Sequence, residues 1–385
     1  MPETTTTTTG ESAPRKDYAI YVITKHGLEI AAKIRAALPD ADLYVSPKQI
    51  NDAPGDALPL SLPMGPTLSA TFNQYNCHIH IISVGAVVRM IKDLLVNKKT
   101  DPAIVCVDDA ARFAICVLSG HVGRGNFFTE RIADAIGATP VITTASDVRG
   151  TLTVDILGRD LGWKLDDMDR NVTRGCAAVV NETRVALIQE TVEPEFWPHN
   201  QPLPPGVEYF TAFDQVPRPS EYEILLIVSD REFAQTAPEH FANSVIFRPK
   251  SLVLGLGCDR DTPFEIIERG VLYHLAAAGL SVKSVKSIAS IDKKADEPGL
   301  LKLAEKYKWP FQVYPAAELD VVPGIENPSE AVKKYVGTRA VAEPACLLAS
   351  GAERLLLAKQ TYKEPEDAHN MTLAVARIPF AKRTQ

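Results

Sequence analysis

Apolar and polar residues alternate along this chain in short blocks whose period switches between that of a strand and that of a helix. Tyr18–Thr24 is apolar and β-branched, which predicts a strand. Leu28, Ile30, Ala31, Ile34 and Leu38 then recur at helical spacing over 27–38, and Pro39 closes that helix. A strand at Leu43–Val45 follows, then a Pro- and Gly-containing loop or lid over 52–67 and a helix or extended piece to Tyr75. His78–Ile82 reads as a strand running into a Ser83-Val-Gly-Ala86 turn, with an apolar-faced helix over 87–95 behind it. Ile104–Asp109 and Phe113–Leu118 are further strands, the second stopping in the Gly-rich turn Ser119-Gly-His-Val-Gly-Arg-Gly-Asn126. Phe127, Phe128, Ile132, Ala135 and Ile136 predict a helix after that turn, ended by Gly137. Val141–Asp147 repeats the strand-then-polar pattern.

From 148 to 248 the pattern weakens. A helical stretch over 152–161 is expected, with short strands at 177–180, 184–190 and 224–229 and proline-rich connections between them. Regular alternation resumes at Ser251–Leu254, which breaks into Gly255-Leu-Gly-Cys258. Pro263 marks a helix start with Thr262 as its cap. A strand at Val285–Ile291 leads to Asp292-Lys-Lys-Ala-Asp-Glu-Pro-Gly299, then a helix to Tyr307 and a strand at 311–313. Helices at 328–335 and 341–350 and strands at 355–358 and 371–376 complete the unit. The expected fold is therefore multi-domain α/β. Residues 1–16 form a tail, 17–147 an N-terminal β/α domain, 148–248 a smaller α+β middle domain and 249–385 a C-terminal β/α domain, with mostly parallel sheets in the two outer domains.

Composition narrows the function. Hydrophobic residues at 45% and charged ones at 23% place the chain among folded globular proteins, and a net charge of −7 argues against nucleic acid as a partner. The start, Met-Pro-Glu and six threonines, lacks the basic and apolar regions of a secretory signal, and no apolar run reaches the roughly 20 residues of a membrane span. A cytoplasmic protein is expected. The six cysteines lie far apart without a CxxC pair, which reads as reduced thiols packed as small core residues.

On chemistry, His121 is the leading general-base candidate, because imidazole titrates near neutrality and a glycine turn leaves the ring accessible. In an open parallel sheet ligands gather at the carboxyl ends of strands, so the Ser83 and Ser119 turns are expected to line one crevice. Ser119 lacks the Gly-x-Ser-x-Gly elbow and suits positioning better than attack. His78 and His80 share a strand face, but a third metal ligand does not stand out, so a structural role is expected and no protein-bound metal. Gly255-Leu-Gly-Cys258 is half a dinucleotide fingerprint without its third glycine or a P-loop lysine, and its plain reading is a tight strand-to-helix turn. Asp292–Glu297 on its own reads as a solvated turn.

Together, several long motifs in order resemble the cobalt-precorrin-5A hydrolase (CbiG) family of anaerobic cobalamin biosynthesis. They are Ser83-Val-Gly-Ala-Val-Val-Arg-Met-Ile91, Thr100-Asp-Pro-Ala-Ile-Val-Cys-Val-Asp-Asp-Ala-Ala-Arg-Phe113, Leu118–Asn126, Gly137-Ala-Thr-Pro-Val-Ile-Thr-Thr-Ala145, Gly255–Cys258, Ala289–Leu300, Asn327–Val332, Gly337–Glu343 and Leu356–Gln360. The resemblance covers nearly all of 18–380 except the middle region, where it is thin. It implies that water opens the ring A δ-lactone of a cobalt-bearing macrocycle and that a two-carbon unit leaves as acetaldehyde. For that reaction the Ser-Gly-His turn points to His121 as base for water or hydroxyl, with Asp108 as candidate orienter, Ser119 beside them and the Gly120 and Gly123 amides as oxyanion donors. Because such a substrate carries many carboxylates, Ser83, Gly85, Arg89, Arg124 and Asn126 are expected as substrate-binding groups, with Gly255, Gly257, Cys258, Lys294, Glu297 and Lys359 in the third unit. The cobalt belongs to the substrate, so no further cofactor is expected. Transient contact with neighbouring methyltransferases and an oligomeric state are compatible with this reading. A tetrapyrrole carrier without chemistry is the rival, and a nucleotide-dependent transferase using Gly255 is a weaker one.

Overall fold

The structure, a computed structural model, describes residues 15–144, 151–166, 171–191, 193, 196–197, 202–232, 242–365 and 368–380. The chain divides into two compact units, Met1–Ile156 and Leu157–Gln385.

In the first unit, strands β1 (Lys16–Val22), β2 (Asp42–Val45), β3 (Leu58–Pro59), β4 (Tyr75–Ile81), β5 (Ala103–Val107), β6 (Phe113–Leu118) and β7 (Thr139–Val141) form one sheet in the order β3-β2-β1-β4-β5-β6-β7. Helices α1 (Lys25–Ala37) and α4 (Gly125–Ile136) pack Ile30, Ile34, Phe128 and Ile132 on one face, against Ile20, Ile79 and Val105. Helices α2 (Gly65–Thr71) and α3 (Val84–Ile91) cover the other, with Leu68 near Tyr21 and Tyr44, and Val87 and Ile91 near Ile104 and Cys106. Covered on both faces, β5 is apolar and buried along its whole length. Arg15 and Lys16, expected in the tail, belong to this unit: the Arg15 guanidinium donates to the Thr100 carbonyl at 2.9 Å, and Lys16 opens β1. Asp147, expected to end the first domain, lies outside the described residues.

One pairing changes the expected layout. β5 and β6 are antiparallel, while β1–β4, β4–β5 and β6–β7 are parallel. The chain after Leu118 therefore emerges at the edge where β5 begins, and the Ser119 hydroxyl donates to the Asp101 carbonyl at 3.0 Å. Ser83, following β4, stands at the opposite edge. Six residues of β6, at about 3.4 Å each, separate those edges by roughly 20 Å, so the Ser83 and Ser119 turns do not line one crevice.

The second unit carries two sheets. β8 (Lys164–Leu165), β9 (Val185–Gln189), β10 (Val207–Phe210), β11 (Ile224–Val228) and β12 (Ser244–Arg248) are ordered β10-β9-β11-β12-β8, with β8 alone antiparallel. The strand expected at 177–180 is instead the end of helix α5 (Val172–Val180), because Val172, Gly175, Ala178 and Val179 are buried at helical spacing and outweigh the β-branched Val-Val pair. The helical stretch expected over 152–161 amounts to two 3-10 turns, Val154–Ile156 and Arg159–Leu161, and Gly158 and Gly162 beside the second have positive φ.

The other sheet is built from β13 (Leu252–Cys258), β14 (Val285–Ile291), β15 (Phe311–Tyr314), β16 (Leu357–Lys363) and β17 (Asn370–Arg377), in the order β15-β14-β13-β17-β16. The first three run parallel and β17 and β16 antiparallel. Helices α6 (Phe264–Ala277), α7 (Pro298–Tyr307), α8 (Ala316–Asp320), α9 (Glu330–Val336) and α10 (Ala342–Ser350) fill the connections. Gly255-Leu-Gly-Cys258, expected as a turn, is the second half of β13. Gly255 is required by closeness rather than by a bend: a Cβ there would lie 1.8 Å from the Ala342 carbonyl oxygen. Thr262 does not cap α6; Pro263 holds that position and the Thr262 hydroxyl donates to the Asp259 carbonyl. Ion pairs join the two sheets. Arg377 grips Asp230 at 2.6 and 2.7 Å, Ser251 donates to Asp230, and Arg248 and Lys283 meet on Asp166.

Among the described residues, no helix is long and apolar enough to cross a membrane. His78 and His80, the strand pair expected to be structural, are fully buried.

Candidate functional site

The turn after β6 is folded tightly by its own sequence. Ser119 and Arg124 take positive φ, 56° and 62°. Gly123 packs so near Ser119 that a Cβ would sit 2.5 Å from the serine Cβ. The amides of Arg124, Gly125 and Asn126 bond back to the carbonyls of His121, Ser119 and Gly120 at 2.9 to 3.0 Å, which closes the loop onto the head of α4. The Asn126 side chain donates to the Thr144 hydroxyl at 2.8 Å. Non-glycine residues in the left-handed region carry strain that tends to be kept where it positions functional groups. The Gly120 and Gly123 amides have no backbone acceptor among the described residues. They lie at the positive end of the α4 dipole.

His121 Nδ1 lies 3.6 Å from Asp155 Oδ1, with side chains 20% and 17% exposed. That oxygen is buried and makes no hydrogen bond. Asp108, expected to orient His121, is at the far end of β6. Its carboxylate is taken by the amides of Arg112 and Phe113 at 2.8 and 2.6 Å, where it closes the β5–β6 hairpin. Burial alone raises its pKa, but these donors win and hold it below the usual value. The antiparallel pairing that inverts β6 removes Asp108 from the site.

Beside the turn opens a cleft of about 450 Å³ that begins at Val122, Gly123 and Arg124. Its walls carry Arg15, Lys99, Arg124 and Arg131 against Asp17 and Asp101. Asp101 is spent internally, accepting from the Val96 and Asn97 amides at 3.1 Å. Aromatic faces back the cations: Arg124 lies 4.4 Å over the Phe127 ring, and Arg131 bonds the Tyr18 hydroxyl at 3.2 Å. A cationic cleft with aromatic walls suits a flat, apolar body bearing carboxylates.

The remaining expected residues lie elsewhere. Ser83 precedes α3 and is exposed, Gly85 is in the first turn of that helix, and Arg89 bonds the Gly85 carbonyl at 3.0 Å. In the second unit, Gly257, Cys258, Lys294 and Lys359 line one cavity of about 370 Å³. Gly255 is within β13, and Glu297 is fully buried with Lys294 Nζ on its Oε2 at 2.7 Å. Burial pushes the Cys258 thiol up to about 11, against the opposing pull of Lys294, so it is a neutral thiol rather than a nucleophile at pH 7. Glu343, unnoticed in sequence, is buried. Desolvation would raise its pKa, but Asn327 and the amides of Lys359, Asn327 and Glu326 bring it below the usual range.

Sequence reasoning missed Asp155, Arg15, Lys99 and Arg131. Asp155 lies 34 positions after His121 in a stretch without periodicity, so no local signal marked it. Arg15 was expected in the tail and nothing local singles out Lys99 or Arg131; only the pairing of β1, β4 and β5 gathers them.

Against known proteins, three family models cover most of the chain: cobalamin synthesis G N-terminal over 66–147, cobalamin biosynthesis central region over 152–249 and cobalamin synthesis G C-terminus over 252–376. The chain is 39% identical over 376 residues to the cobalt-precorrin-5A hydrolase of Priestia megaterium, covering 96% of this chain and 98% of that protein. To the cobalt-precorrin-5A hydrolase of Salmonella typhimurium it is 30% identical over 340 residues, covering 88% and 93%. The crystal structure of CobE, a protein from the cobalamin biosynthetic pathway, covers 33% of this chain and 90% of its own at 32% identity and a TM-score of 0.30.

Proposed function

The chain belongs to the cobalt-precorrin-5A hydrolase family, and from that premise we propose that it opens the ring A δ-lactone of cobalt-precorrin-5A with water and releases the C-20 two-carbon fragment as acetaldehyde, leaving cobalt-precorrin-5B. The observation that carries the chemistry is the pairing of His121, in the turn that heads α4, with Asp155 of the Val154–Ile156 turn.

With Asp155 at Nδ1, Nε2 of His121 takes a proton from water as the water oxygen attacks the lactone carbonyl carbon. The oxyanion forms near the Gly120 and Gly123 amides, and its collapse breaks the acyl C–O bond; the His121 imidazolium gives its proton to the leaving alkoxide and the new carboxylic acid loses its own to solvent, which leaves a carboxylate, a free hydroxyl and neutral His121. His121 then accepts the hydroxyl proton, the C–C bond breaks, the bond's electron pair enters the conjugated imine of the macrocycle as acetaldehyde departs, and the imidazolium returns that proton to the macrocycle. One water enters and one acetaldehyde leaves. Asp155 stabilises the imidazolium at both steps. Ser119, its hydroxyl spent on the Asp101 carbonyl, acts in shaping the turn. Arg15, Arg124, Arg131 and Lys99 hold substrate carboxylates, and the cobalt is the substrate's own.

The test is trapping of acetaldehyde from the purified protein and the lactone-bearing substrate, with His121→Ala alongside. Release by the wild type, and binding without release by the variant, is the expected outcome. Bound corrinoid without release from either protein would instead identify a carrier.

A further inference from the structure

The cavity in the second unit is lined by none of the residues used in the chemistry above and has its own electrostatics. Arg260, Lys293, Lys294, Arg339 and Lys359 line it against a single carboxylate, Asp259, over an apolar floor that includes Ile291, Val336 and Val341. These cations are held at separate points around that floor. Arg260 is paired with Asp296 at 2.8 Å and Arg339 with Asp320 at 3.2 Å, while Lys294 stands on the buried Glu297. Lys293 and Lys359 differ: each ammonium donates to a backbone carbonyl, of Val336 at 3.0 Å and Asn327 at 3.2 Å, and neither forms an ion pair among the described residues. Two cations at the rim of a cavity with no carboxylate partner are charge left for a ligand.

The shape decides the class of anion. A phosphate site needs converging backbone N–H groups or a helix head, and the glycines that suggested one are strand residues. Gly255 pairs with Ala289 and Ala374, and Gly257 with Thr372, so this backbone is committed to the sheet. What remains is an apolar floor ringed by separated cations, which fits an apolar body carrying several spaced single charges rather than one compact dianion.

We propose that this cavity is a docking site built from other residues than the His121 turn, gripping carboxylate arms of a cobalt corrinoid through Lys293 and Lys359. The proposal deepens the hydrolase reading and rests on it for the identity of the ligand. At about 370 Å³ the cavity takes one edge of such a macrocycle rather than the whole.

Lysine footprinting on the full-length wild-type protein tests it without any substitution. The protein is acetylated briefly with and without cobyrinic acid, a cobalt corrin bearing free carboxylate arms, and each lysine is read by peptide mass spectrometry. Labelling at Lys293 and Lys359 should slow roughly tenfold at saturating probe, as expected for one charge-assisted contact each, while exposed Lys286 labels at its free rate. Unchanged labelling at Lys293 and Lys359, equal slowing at Lys286, or equal protection by inorganic phosphate would each overturn the proposal. A Lys293→Gln, Lys359→Gln double variant, which touches no buried ion pair, should bind cobyrinic acid at least tenfold more weakly, and wild-type affinity in it would also overturn the site. Acetaldehyde release is assayed in parallel on the wild type. Release without a footprint removes the second site and keeps the hydrolase; a footprint without release keeps the site and removes the hydrolase.

Discussion

Replacing Asp155 by Asn keeps the shape beside His121 and removes the charge, which isolates what that carboxylate does for the imidazolium. At the 3.6 Å separation, two unit charges attract by about 5 kcal/mol at an effective dielectric near 20. Both side chains keep about a fifth of their exposure, and solvent screening reduces this to about 2 to 3 kcal/mol. If that stabilisation is present only when His121 holds the proton, kcat should fall roughly 30- to 150-fold with little change in KM. The assay is single-turnover acetaldehyde release at saturating substrate, with thermal melting to show that the variant is folded. Asp108→Asn is the control. Its carboxylate closes a hairpin about six strand residues away, so that variant should lose about 1 to 2 kcal/mol of stability and keep its kcat. Turnover near the wild-type rate in Asp155→Asn, or a larger loss of kcat in Asp108→Asn, would refute the reasoning.

Three further outcomes follow from the fold. Burial holds His78 down to about 4 and His80, with His78 also repelling it, down to about 3. The unfolded chain binds those protons near pH 6.5, so their stabilising effect is complete above that pH and is lost as pH falls towards 4 and then 3, by on the order of a few kcal/mol in total. The melting temperature of His80→Leu should therefore fall less steeply than the wild type's between pH 6 and 4; parallel curves would contradict the burial argument. Asp230→Ala strands Arg377 at the junction of the two sheets in the second unit and should cost about 3 kcal/mol, a drop of roughly 6 to 12 °C in Tm by calorimetry. Gly255→Ala puts a methyl 1.8 Å from the Ala342 carbonyl oxygen; soluble yield should collapse, and a normally folded variant would show that α10 can retreat.

The strands and helices of the outer regions were legible because they obey one period each. β14 runs over Val285–Ile291 as the alternation predicts, and α4 ends at Gly137 with φ 70°. The direction of β6 carried a signal in loop length rather than in wording: the five residues between Val107 and Phe113 are too few for a parallel crossover, so β6 has to run back along β5, and that reversal takes Asp108 out of the site. Gly255-Leu-Gly misled for another reason: a glycine that lets a helix lie close to a sheet looks in sequence like one that turns the chain. Val172–Val180 was misread because its last four residues are β-branched or small, while the helical repeat is visible only over all nine. Of the site, the turn with Ser119, His121 and Asn126 could be seen locally. Asp155 and the cleft cations Arg15, Lys99 and Arg131 could not, because only tertiary pairing brings them there.

The most direct test of the central claim is a single turnover of the lactone-bearing substrate in ¹⁸O-water, with acetaldehyde trapped as it forms and both products weighed. Attack of His121-activated water on the acyl carbon predicts one heavy oxygen in the new corrinoid carboxylate and none in the trapped acetaldehyde, with neither product formed by His121→Ala. Heavy oxygen in the acetaldehyde, or the same labelled products from His121→Ala at the wild-type rate, would contradict it.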